Sequence, residues 1–144
     1  MAGPRPLRSR TLATWLALLG GSFGLHRFYL YGMADRWAWL RGPPALVGAF
    51  GLWRMRQYGS EDRLGSVLVL LLGAVIAVAM LEAIVYGLTP SERWNARFGA
   101  GAAPGRFAWL AISGAAVALA LGATVTMATI AFAAQRYFEW HAPG

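Results

Sequence analysis

Residues 64–88 read LGSVLVLLLGAVIAVAMLEAIVYGL, an apolar run with one charge in it, Glu82. At about 1.5 Å per residue such a helix exceeds the roughly 20 residues that cross a hydrocarbon core of about 30 Å. A second run, 107–134, carries no charge at all. Both stretches are expected to span a bilayer. The composition agrees: of 144 residues 58% are hydrophobic and 13% charged, where a soluble domain has about 25% charged residues. The chain reads as an integral membrane protein, all-α, a polytopic helical bundle of about four transmembrane segments with short interfacial helices.

The formal net charge is +7 and every basic residue is arginine. These arginines flank apolar segments instead of lining one polar face, which is the pattern of membrane-end anchoring and not of nucleic-acid binding. The lipid bilayer is the expected partner, with a homo-oligomer or another membrane protein as further partners. The absence of cysteine excludes disulfides, iron–sulfur clusters and thiolate zinc sites. Only two histidines are present, His26 and His141, and no metal-ligand spacing exists, so no metal and no cofactor is expected.

The first half is less uniform. The apolar stretch 11–25 reaches spanning length only by continuing into the charged and aromatic knot HRFYLY at 26–31, with Arg27 snorkelling to the headgroups. In the second segment Asp35, Arg36 and Arg41 interrupt the start, and Pro43-Pro44 suits a helix N-terminus better than an interior. The spacing predicts a short interfacial helix over 33–40, with Trp37 and Trp39 as belt aromatics, then a helix over 43–56 of roughly 21 Å. A re-entrant or kinked element is the alternative there. Thr89-Pro90-Ser91-Glu92 predicts a capping box opening a short surface helix that carries Trp94 and Phe98, and 99–105 a flexible link. The division expected is 1–60 and 61–144, a pair of membrane helices followed by a helical hairpin.

Arg5, Arg8 and Arg10 precede an apolar stretch without a good Ala-x-Ala site after it, so retention is expected over cleavage as a signal peptide. With four spans, Arg5, Arg8, Arg10, Arg54, Arg56, Arg63 and Arg136 lie on one side and Arg27, Arg36, Arg41, Arg93, Arg97 and Arg106 on the other. The N-terminal cluster breaks this near tie, putting both termini in the cytoplasm. The richness in Ala, Gly, Trp and Arg is compatible with a GC-rich bacterial genome, hence an inner-membrane location.

The run 19–32, LGGSFGLHRFYLYG, resembles the TM-2 domain, a family of paired transmembrane helices joined by a short linker. Gly21, Phe23, Gly24, His26, Arg27, Phe28, Tyr29 and Leu30 fit its motif, and Tyr31 is an insertion before Gly32. Gly51-Leu52-Trp53 fits the second element, whereas Arg54, Met55, Arg56 and Gln57 stand where the family has an acid. The resemblance covers about residues 8–60. It implies membrane association or interaction and brings no reaction with it.

Four features compete for a function. Gly20-Gly-Ser22-Phe-Gly24 matches the Gly-x-Ser-x-Gly nucleophile pattern, but it follows a membrane helix where a strand is required. His26 and Arg27 are expected to anchor the interface and bond helix-end carbonyls; a proton relay is the sharper alternative. Glu82 is expected to form an ion pair, with His26 and Arg27 as the partners on its side of the membrane; a surface-reaching carboxylate or a proton path are the alternatives. Gly114, Ala118, Gly122 and Thr126 recur every four residues as a packing stripe, with Thr124, Thr126 and Thr129 returning hydroxyl bonds to their helix. The leading expectation is a non-enzymatic membrane scaffold or interaction module. A small transporter or channel subunit using Glu82 with His26 and Arg27 is the rival, and a hydrolase at Ser22 comes last.

Overall fold

The computed structural model describes residues 8–99 and 108–142. Most of the anticipated glycine link, residues 100–105, lies outside the described residues, as do Arg5, Arg106 and Phe107. Among the described residues all regular structure is helical. Helix α1 is Arg10–Gly20; a 3-10 turn, Gly21–Phe23, leads to α2, Leu25–Tyr31. The long helices are α3, Arg36–Tyr58, α4, Arg63–Leu88, and α6, Ala108–His141, with the short α5, Ser91–Phe98, between the last two. Helices α4 and α6 are long and apolar enough to cross a membrane.

Helix α4 is the axis of the bundle. Asp62 starts it by accepting the Gly65 N–H at 3.0 Å, as Asp35 starts α3 by accepting the Trp37 N–H at 3.1 Å. Helix α3 runs antiparallel to α4, and glycines set their approach: a Cβ at Gly48 would lie 2.9 Å from the Leu72 Cα, and one at Gly51 3.0 Å from the Leu68 carbonyl carbon. On the other side α6 is also antiparallel, with Gly122 against Met80, Gly73 against Thr129 and Gly87 against Ala111. The apolar core is small-sided, including Ala13, Ala17, Ala79, Ala83, Ala111 and Ala118, whereas Leu46, Leu81, Val85, Leu119 and Ile130 face outward. Small residues inside with large apolar ones outside is the distribution of helices packed in lipid, where association depends on close backbone approach.

Three expectations are corrected. First, the stretch from 11 through the HRFYLY knot is not one spanning helix. Gly24 takes a left-handed conformation, φ 78°, where its absent Cβ would lie 2.8 Å from the Ala38 carbonyl oxygen. The chain reverses there, and α2 returns along α1 until the Tyr29 hydroxyl accepts the Ser9 N–H at 2.9 Å. Helix α1 is about 16 Å long at 11 residues, so the hairpin reaches only partway along α4 before turning back.

Second, the interfacial helix expected over 33–40 and the helix expected over 43–56 are one continuous α3, with Pro43 and Pro44 inside it. The residue before the pair is Gly42, which has no Cβ to clash with the Pro43 ring, and this eases the helical backbone there. Third, Thr89 does not cap α5: its hydroxyl donates back to the Val85 carbonyl at 2.5 Å, and Pro90 occupies the cap position without a side-chain bond. Helix α5 is also not free on a surface. Trp94 is buried against Ala13 and Leu30 and donates to the Arg8 carbonyl at 2.7 Å.

Candidate functional site

The hairpin brings its polar residues to the upper part of α4. His26 is fully buried, with Nε2 3.0 Å from Glu82 Oε2, and its ring lies 5.6 Å from that of Tyr86. Gly21 makes this approach feasible, because a Cβ there would meet the Ala79 Cβ at 2.8 Å. The second partner of Glu82 comes from α3. Arg41 grips both carboxylate oxygens, with one terminal nitrogen 2.5 Å from Oε2 and the other 2.6 Å from Oε1. The fork is bidentate, the strongest arrangement available to an arginine and a carboxylate. Three separate segments, α2, α3 and α4, are thus tied at one point.

Arg27 is not a partner of Glu82. It donates from Nε to Asp35 at 2.8 Å, across the short connection to α3, and its guanidinium lies over the Tyr31 ring at 5.1 Å. The guanidinium beside Asp35 holds that carboxyl below the usual carboxylate range. An equivalent pair closes the opposite end of the bundle, where Arg54 bonds Asp62 at 2.6 Å and likewise holds its carboxyl low. The physical reason Arg27 misses Glu82 is the returning direction of α2, which buries His26 against α4 and leaves the next residue turned toward the 32–35 connection. His26 does not bond a helix-end carbonyl: its Nδ1 has no hydrogen-bond partner, and its approach to Glu82 is close without hydrogen-bond alignment.

The rest of the motif is spread around this point. Leu30 is buried, Phe23 is half exposed, and Phe28 meets Trp39 edge-on at 5.2 Å. Trp53 stands far from the cluster, stacked on Phe50 at 5.3 Å on the outer face of α3. Ser22 lies in the 3-10 turn that follows a helix, without the strand that a nucleophile elbow requires. In α6 the stripe is partly realised. Gly114, Ala118 and Gly122 are buried, with Gly114 facing Thr14 and Gly122 facing Met80, but Thr126 is exposed. A spacing of four residues drifts by about 40° per step around a helix of 3.6 residues per turn, so the inward position passes to Thr129. The Thr124 and Thr129 hydroxyls do return to their own helix, at 2.9 and 2.7 Å.

Arg41 was visible in the sequence only as an interruption of an apolar segment. The signal that would have found it is its position inside α3, away from the ends where Arg36, Arg54 and Arg56 stand. No group of three or more His, Cys, Asp or Glu among the described residues could hold a metal ion. Comparison with family models, curated proteins and solved structures finds no match for the chain.

Proposed function

We propose that the chain is a non-enzymatic integral membrane protein, a scaffold or interaction module whose first half is a TM-2-like unit locked onto α4 by Arg41, Glu82 and His26. The observation that carries this reading is the bidentate grip of Arg41 on Glu82. A carboxylate that relays protons needs an oxygen free to take one up, and both oxygens of Glu82 accept from the Arg41 fork. Tying three segments together is the role its geometry suits. Reconstituted into liposomes under a pH gradient, the protein is expected to add no proton flux over empty vesicles. A flux that disappears in Glu82→Gln would overturn the scaffold reading in favour of transport, because the amide keeps size and polarity but carries no charge.

The membrane arrangement that fits this reading has three crossings, by α3, α4 and α6, with the α1–α2 hairpin entering and leaving on one side. Helix α3 is about 34 Å long at 23 residues, long enough to cross, but it is less apolar than α4 and α6, the two described helices that are both long and apolar enough. Its internal charge, Arg41, is neutralised by Glu82, and Arg36, Arg54 and Arg56 lie toward its ends. This arrangement also strengthens the charge bias. Among the described residues Arg8, Arg10, Arg27, Arg36, Arg93 and Arg97 fall at the hairpin end, against Arg54, Arg56, Arg63 and Arg136 at the other. The hairpin end is then cytoplasmic, in a bacterial inner membrane on the compositional argument, and residue 142 is on the opposite side.

Because the chain has no cysteine, single cysteines report sidedness without background. Cysteines placed at Ser9 and Met33 are expected to react with a membrane-impermeant maleimide from one side, and those at Ser60 and Ala142 from the other. Labelling of Ser9→Cys together with Ser60→Cys would mean that the hairpin crosses, restoring four spans.

A further inference from the structure

On the outer seam between α3 and α4, away from the hairpin, lies a groove of about 340 Å³ lined by Trp37, Leu40, Arg41, Pro44, Val75 and Val78. Its walls are apolar except at one end. Arg41 belongs both to the groove and to the cluster with Glu82, and its side chain remains about a quarter exposed. Arg36, itself exposed, stands one turn before Leu40 on the same stripe of α3, and Trp37 is 66% exposed beside it. The groove therefore has an apolar trough running toward the middle of α4 and a cationic, aromatic rim at the α3 N-terminus.

We propose that this groove binds an anionic glycerophospholipid, with an upper acyl segment lying in the trough over Pro44, Val75 and Val78 and the headgroup phosphate held at Arg36 and the Trp37 indole N–H. Charge complementarity selects the occupant. A zwitterionic lipid fills the trough equally well but brings a quaternary ammonium to a rim that already carries arginine, whereas an anionic headgroup matches it. Trp37 is suited to the boundary because its ring packs against the chain while its N–H meets polar headgroup atoms. Arg41, its charge neutralised by Glu82, contributes its aliphatic stem to the trough, so the cationic character of the rim comes from Arg36.

This proposal rests on the reading that α3 and α4 cross a bilayer, and the two fail separately. Release of the protein from membranes by an alkaline carbonate wash would remove the membrane reading itself. For the lipid site, the full chain purified in a mild detergent is titrated with dioleoylphosphatidylglycerol or dioleoylphosphatidylcholine and followed by thermal melting and native mass spectrometry. Phosphatidylglycerol is expected to raise the melting temperature by several degrees more than phosphatidylcholine and to give a retained one-to-one adduct. Two variants, Val78→Trp and Ala74→Trp, the latter at an exposed position that also lines the groove, fill the trough without touching the buried faces of α4 and are expected to abolish the adduct. Arg36→Gln is expected to weaken phosphatidylglycerol binding about tenfold while leaving phosphatidylcholine unchanged. Equal shifts from both lipids, or an adduct that survives both tryptophan variants, would overturn the site.

Discussion

Replacing Glu82 with alanine is expected to destabilise the detergent-purified protein by about 3 kcal/mol, the lower end of the range for breaking a buried ion pair. The lower end applies because the Arg41 and Glu82 side chains are each about a fifth to a quarter exposed. Most of the loss comes from stranding Arg41 among apolar neighbours, so the double variant Arg41→Met, Glu82→Leu should recover much of it. A double-mutant cycle over Arg41→Ala and Glu82→Ala, read by denaturant or thermal unfolding, is expected to give a coupling of about 2 kcal/mol. The same cycle over Arg27 and Glu82 should be close to additive, since Arg27 is engaged by Asp35. Strong coupling of Glu82 to Arg27 with none to Arg41 would reverse the assignment of partners.

The second large effect is expected at Gly48. Leucine there would drive its first carbon to within 2.9 Å of the Leu72 backbone nitrogen and Cα, which a rotamer change cannot relieve. Helices α3 and α4 must separate, opening the seam along which they pack, and a loss of about 3 kcal/mol or more, or of folded protein altogether, is expected. The matched control is Gly42→Ala. A Cβ at Gly42 meets nothing within 4 Å outside its own stretch of helix, and the gain in helix propensity is offset by the cost of a Cβ before Pro43, so the substitution should change stability by less than about 1 kcal/mol. A similar response to Gly48→Leu and Gly42→Ala in a melting series would show that the α3–α4 seam does not depend on close approach.

The helical class and the membrane character of α4 and α6 were legible because length and apolarity are local properties of the chain. So was the singularity of Glu82, as the lone charge in a long apolar run. Its partner was not legible. Arg27 and Arg41 stand at similar remove from the middle of their segments, and what separates them is a reversal at Gly24 that sequence alone presents as one more glycine in a glycine-rich stretch. The same reversal defeated the reading of the first segment, whose apolar and aromatic residues have the composition of a continuing helix but the backbone of a hairpin. Pro43-Pro44 misled in the opposite sense. A proline pair signals a boundary by its missing donors, yet α3 continues through it, held on both flanks by the fork from Arg41 and the contact of Gly48 with α4.

The position of the hairpin has a bearing on how the protein is made. Its anchoring bonds all run forward in the chain: Arg10 donates to the Thr89 carbonyl, Trp15 to the Leu110 carbonyl, and Thr14 is seated between Gly87 and Gly114. Translation proceeds from the N-terminus, so α1 and α2 leave the ribosome roughly a hundred residues before the last of these partners exists. Helix α1 is too short to cross a bilayer by itself, and Arg10, Trp15 and His26 have no partners until α4 and α6 are made, whereas Arg27 can already pair with Asp35. Of these elements, the hairpin is made before α4 and α6 and seated after them.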